Sequence, residues 1–147
     1  MKLISHRGNL QGPDSSKENS PDLVLNVLEK GFDCEVDFWA YKNKLYLGHD
    51  EPEYQITQDF IQRPGLWVHA KNFDALLHLY NYKNINYFWH QEDDFTITSK
   101  GYIWTYPGKT LAEISIAVMP ERVMDISNIK SLLVLGVCSD YIGIIHE

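Results

Sequence analysis

The sequence predicts an α/β fold in one domain spanning residues 1–147. Three observations carry this. Short apolar runs rich in β-branched and aromatic residues read as strands. Segments with apolar residues at helical spacing lie between several of them. Glycine, proline and asparagine punctuate the changes. Strands alternating with helices build βαβ units on a parallel sheet, which leaves a doubly wound sheet or a barrel as the architecture. An eightfold barrel usually takes about 200 residues or more. A barrel of 147 residues therefore has room only for reduced helices.

"KLIS" is the first strand and runs straight into His6-Arg7-Gly8. "SPDLVLNVLEKG" is a helix: Asn19 or Ser20 caps it, Pro21 suits its first turn, Asp22 favours its dipole and Gly31 ends it. Leu23, Val24, Val27 and Leu28 form its apolar face. "FDCEVDFWA" is a second strand, and "KNKLYLGHD" a turn and return strand. "TQDFIQ" is a short helix stopped by Pro64 and Gly65. "LWVHAK" is a strand, followed by the helix "NFDALLHLYNY" capped by Asn72. "NYFWHQ", "GYIWTY" and "SIAVMP" read as strands, "DISNIKSLLVLG" as a helix ending at Gly136, and "VCSDYIGII" as a last strand.

The formal charge of −7 argues against a nucleic-acid or anionic-membrane binder, which would need a basic face. It leaves room for a small anion held by a few local cations. Cys34 and Cys138 lack metal-ligand spacing and read as reduced, buried thiols. No apolar run approaches the ~18 residues of a membrane span, and the N-terminus has no signal-peptide core, so a cytoplasmic protein is expected.

Strand alternation places Asp33, Glu35 and Asp37 on one face. Glu35 and Asp37 lie about 7 Å apart at Cα, close enough to share one divalent cation. A solvated acidic face would show the same spacing, but the apolar flanks favour a buried strand. His49 ends another apolar run; with His6 it could form a general acid/base pair around a phosphoryl centre. Arg7 can grip phosphate oxygens bidentately. In "WVHAK", Trp67, His69 and Lys71 share a face; His69 is either a metal ligand or a core histidine, and Lys71 calls for an anionic partner. Trp104 and Tyr106 alternate onto one face and pack either on a substrate's alcohol group or into the core. His90 is a candidate for the site, and His78 reads as surface.

In their order, "HRG", "ENSP", "GFDCEVDFW", "LGHD" and a strand ending in lysine resemble the glycerophosphodiester phosphodiesterases, of the phospholipase C-like phosphodiesterase superfamily. The resemblance covers about the first 72 residues. It implies a compact TIM-barrel-like fold with reduced helices. It implies His6 and His49 as the catalytic pair, Arg7 and Lys71 as phosphate-binding, and Glu35 and Asp37 as ligands of Mg²⁺ or Ca²⁺. Glu18 and Asn19 fill supporting positions around Arg7. His69 stands where the family has a third carboxylate, which brings Mn²⁺ or Zn²⁺ into range. The implied activity is metal-dependent hydrolysis of a small glycerophosphodiester-like substrate, with a cyclic phosphate as one route. The alternative is a non-catalytic phosphate- or sugar-phosphate-binding domain. A thin barrel would also shield uncovered strands by forming a homodimer.

Overall fold

A computed structural model describes all residues, Met1–Glu147. The chain runs β1 (Lys2–His6), α1 (Pro21–Glu29), β2 (Asp33–Tyr41), β3 (Lys44–Leu47), β4 (Tyr54–Ile56), α2 (Gln58–Ile61), β5 (Leu66–Ala70) and α3 (Phe73–Tyr80). It continues through β6 (Asn86–Trp89), β7 (Phe95–Ile97), β8 (Ile103–Thr105), β9 (Ser115–Val118), a single 3₁₀ turn (Pro120–Arg122), α4 (Ile126–Ile129), β10 (Gly136–Ser139) and α5 (Ile142–His146).

Seven strands are parallel neighbours in the order β6-β5-β2-β1-β10-β9-β8. The β3–β4 hairpin extends the far end of β2 antiparallel, and β7 runs antiparallel to β8. Lys42 and Asn43 make the tight turn between β2 and β3 with φ of +49° and +60°, as a two-residue hairpin loop of matching twist requires.

The sheet curls. Trp104 of β8 packs on Phe88 of β6 and Trp67 of β5, with ring centroids 4.7 and 5.6 Å apart, although β9, β10, β1 and β2 separate these strands in the sheet. Ile4, Ile116, Val118 and Cys138 complete this inner core. On the opposite face, Cys34, Val36, Phe38 and Val68 pack with Val24 and Val27 of α1 and Ala75 and Leu79 of α3. Alternation along β2 thus sends Cys34, Val36 and Phe38 outward to the helices and Glu35 and Asp37 inward.

The result corrects the expected TIM-barrel-like architecture. The molecule is a curled, mixed sheet forming a half-barrel, without a helix between every pair of strands. The β6–β7 and β7–β8 links are too short for a helical crossover, which takes a dozen or more residues, so β7 turns back as a hairpin strand. Two terminal elements also differ from the sequence reading. The helix over "DISNIKSLLVLG" shrinks to Ile126–Ile129, and the run after Ser139 folds as α5 rather than continuing as strand. There Ile142 and Ile145, three residues apart, bury against Val137 and Ile129. No helix is long and apolar enough to cross a membrane.

Candidate active site

Pairing of β1, β2 and β5 sets the first part of the site. His6 lies opposite Glu35 across β1–β2, and Asp37 opposite His69 across β2–β5. All four side chains point to the concave face, His6 and His69 from the C-terminal ends of β1 and β5 and Glu35 and Asp37 from the middle of the longer β2. A cavity of about 540 Å³ opens there. His6, Arg7, Glu35, His49, His69 and Lys71 line it. Six residues that the sequence singled out, from four separate segments, therefore share one wall.

His6 is nearly buried, and its Nδ1 lies 2.7 Å from Asp140 Oδ1. Asn9 Nδ2 donates to the same oxygen at 2.8 Å and to Glu18 Oε1 at 2.9 Å. The Asp140 backbone N–H donates to Glu121 Oε1 at 3.0 Å. Asp140 thus fixes the ring of His6 through Nδ1 and leaves Nε2 to the cavity. Burial opposes a charge on His6, but the bond to Asp140 and the nearby Glu35 outweigh it, so its pKa is raised. The carboxyl of Asp140 is held low: burial raises it, and the bond and charge of His6 and the bond from Asn9 more than reverse this.

His49 sits on the loop after β3, with its side chain 42% exposed and Nδ1 2.8 Å from Asp50 Oδ1. Partial burial and the Arg7 charge push its pKa down. The environments of the two histidines therefore drive them apart, which suits one for holding a proton and the other for accepting one. Gly48 places this loop at φ +154°, where a Cβ would overlap the Glu51 carbonyl oxygen.

Asp37 is the most heavily bonded group. Asn19 Nδ2 donates to Oδ2 at 3.0 Å, and the Asp37 backbone N–H donates to Asn19 Oδ1 at 2.9 Å. Arg7 Nε lies 3.0 Å from Oδ2 as an ion pair, with its N–H turned off the line. On the other oxygen, Oδ1, His69 Nδ1 approaches to 3.1 Å and Lys71 Nζ to 3.5 Å. Burial alone would raise the Asp37 carboxyl; the His69 bond and the charges of Arg7, His69 and Lys71 hold it well below the usual range. Glu35, beside it, is pushed up by burial and by the Asp37 charge, and its Oε2 is buried with no partner.

Glu18 Oε2 accepts from Arg7 Nη1 at 3.3 Å. Asn19 donates its backbone N–H to the Arg7 carbonyl at 2.9 Å and its side-chain Nδ2 to Asp37 Oδ2 at 3.0 Å. Arg7, Asn19 and Met119 take positive φ of +54°, +62° and +42°. Arg7 and Met119 line the cavity, so two of these uncommon backbone positions lie at its wall.

The far wall is aromatic. Tyr106 stacks on His90 with centroids 3.6 Å apart, and Trp89 and Pro107 lie alongside. Burial and the adjacent His69 bring the pKa of His90 down to about 4, so its ring is neutral. Trp104 reaches the cavity but is almost wholly buried and belongs to the inner core. His78 is half-buried, bonded to Gln58 Oε1 at 2.7 Å, away from the cavity.

Asp140, Asn9, Glu121 and Arg122 join the site without having been picked out in the sequence. The one available signal for Asp140 was its position just after the apolar run "GVCS", where a strand end would meet the site.

The donors Glu35, Asp37 and His69 fit a divalent cation. One ligand atom from each lies within 4.8 Å of the others, and Glu35 carries a buried oxygen, Oε2, that no hydrogen bond satisfies. Comparison with protein-family models, curated proteins and solved structures finds no match to this chain.

Proposed function

We propose that the protein is a metal-dependent phosphodiesterase of small phosphodiesters, with glycerophosphodiesters as the reference substrates. One observation carries the reading: a carboxylate-oriented histidine, a second histidine of opposite pKa tendency, two cations and a carboxylate–imidazole cluster all face one cavity.

Glu35, Asp37 and His69 would hold the divalent ion, which supplies electrostatic stabilisation of charge developing on the phosphoryl oxygens. Lys71 and Arg7 hold the phosphate beside them. Their carboxylate partners orient both cations, with Glu18 and Asp37 fixing the guanidinium. Neutral His49 takes the proton from the attacking oxygen, which is water or the substrate's own neighbouring hydroxyl. As the P–O bond to the leaving alcohol breaks, imidazolium His6 gives its proton to that oxygen. Attack by the neighbouring hydroxyl yields a cyclic phosphate; attack by water yields a monoester.

The test follows ³¹P resonances of glycerophosphodiesters incubated with the protein and Mg²⁺, Mn²⁺, Ca²⁺ or Zn²⁺. Monoester or cyclic-phosphate signals should grow, and His6→Ala and His49→Ala should each suppress them while the fold persists. Turnover that survives both substitutions would refute the mechanism. Thermal stabilisation by phosphodiesters with no turnover would instead favour the phosphate-binding domain.

A further inference from the structure

We infer that His69 makes this site select a transition cation of the Zn²⁺, Co²⁺ or Fe²⁺ class over Mg²⁺ or Ca²⁺. The inference rests on the phosphodiesterase reading for the ion's purpose, and on the side chains alone for its binding.

The ring of His69 is fixed on two sides. It stacks face to face on Phe88, centroids 5.1 Å apart with planes 8° from parallel. Its Nε2 lies 3.1 Å from the His90 carbonyl oxygen. A carbonyl oxygen can only accept, so Nε2 carries a hydrogen and donates it. Nδ1 is thereby aimed at Asp37 Oδ1, 3.1 Å away, and Glu35 Oε1, 3.9 Å away. Metal-bound imidazoles are commonly held in this way, the second ring nitrogen donating to a backbone carbonyl.

Hydrogen bonds alone leave this cluster incompletely satisfied, although Lys71 Nζ also lies 3.5 Å from Asp37 Oδ1. A proton on Nδ1 would satisfy Asp37 Oδ1 but leave the buried Glu35 Oε2 without a partner. A cation bound by Nδ1, Asp37 Oδ1 and the Glu35 carboxylate would engage all three residues and balance the buried charge of Glu35, which the proton does not. Asp37 divides its oxygens: Asn19 and Arg7 hold Oδ2, while Oδ1 faces His69 Nδ1 with Lys71 Nζ at the longer distance of 3.5 Å. The set is one nitrogen and two oxygens on rigid strands. Ca²⁺ seeks six to eight oxygen ligands and Mg²⁺ a near-octahedral oxygen shell. Imidazole suits Zn²⁺ and its first-row neighbours better, and three protein ligands leave a position open for water or substrate.

Calorimetric titration of the metal-stripped full chain with Zn²⁺, Co²⁺, Mg²⁺ and Ca²⁺ tests this, alongside the same titrations of His69→Asp. The natural chain should bind Zn²⁺ and Co²⁺ well above Mg²⁺ and Ca²⁺. In His69→Asp the Zn²⁺-to-Mg²⁺ affinity ratio should fall by about tenfold or more. Zn²⁺ titration of the ¹⁵N-labelled natural chain gives a readout that needs no variant: His69 Nδ1 should shift on binding while Nε2 stays protonated. An unchanged ratio in a folded His69→Asp, no binding of Zn²⁺ or Co²⁺, or a His69 Nδ1 still protonated at saturation would overturn the inference. Tight Zn²⁺ binding at His69 without diester turnover would sustain it and count against the phosphodiesterase reading alone. Turnover in chelator without metal uptake would do the reverse.

Discussion

Asp140→Asn keeps the shape of the partner of His6 and removes its charge. Asp140 Oδ1 accepts from His6 Nδ1 at 2.7 Å and Asn9 Nδ2 at 2.8 Å, and the His6 and Asp140 side chains are only 10% and 12% exposed. An amide oxygen at position 140 can accept both bonds, so the loss is the charge assistance. Hydrogen bonds to charged groups contribute about 1.5–3 kcal/mol and neutral ones about 0.5–1.5 kcal/mol, so the substitution should cost about 1–1.5 kcal/mol where both groups are ionised. That window follows from the shifts. His6 is raised above its ordinary 6.5, so its contribution is complete below that pH and is lost as pH rises through the folded value. Asp140 is lowered from 3.8, so its contribution is present above that pH and is lost as pH falls through the folded value. The penalty should therefore be largest between about pH 4 and 6.5 and shrink well above it. Urea unfolding followed by tryptophan fluorescence at about pH 5.5 and 8.5 measures it, with unchanged slopes confirming that stability alone has moved. A penalty equal at both pH values, or larger at the alkaline one, would refute the ionised pair.

The activity of the natural chain should follow a bell-shaped pH dependence. Its acid limb is set by His49, below that group's ordinary 6.5, and its alkaline limb by His6, above 6.5. In Asp140→Asn the alkaline limb should move to lower pH; a rate that is flat with pH would exclude the pair. His49→Ala should reduce kcat/KM by about 100-fold or more, while unfolding free energy stays within about 0.5 kcal/mol, because the side chain is 42% exposed. A large loss of stability would mean that His49 holds the fold instead. Asn19→Ala should cost about 2–4 kcal/mol, since it removes two buried hydrogen bonds to Asp37 and keeps a side chain at φ +62°. Asn19→Gly relieves only the backbone, so recovery of full stability in it would show that the bonds to Asp37 contribute little.

The inward wall of the site was legible because alternation along a strand is a short-range rule. Glu35 and Asp37 face inward by parity alone, and the "HRG", "LGHD" and "HAK" segments end strands whose C-terminal ends lie together. The architecture was less legible. Nothing local states that Trp104 will reach across the curl to Trp67, or that the short links around β7 will turn back instead of crossing over. The run "SLLVLG" has helical apolar spacing, yet Leu133 is 82% exposed and the segment serves as an approach to β10. Asp140 was hidden for a different reason. Its partner His6 is 134 positions away, and only the insertion of β10 between β1 and β9 makes them neighbours.

That insertion orders events during synthesis. β1, β2, β5 and β6 are available in sequence, so the carboxylates and His69 can assemble once about the first ninety residues have left the ribosome. β1 then presents a bare edge, open to mispairing with other nascent chains, until residues 136–139 are made. The bond that orients His6 is consequently among the last to form. A chain released early would hold Glu35, Asp37 and His69 together but lack the Asp140 carboxylate that fixes the ring of His6.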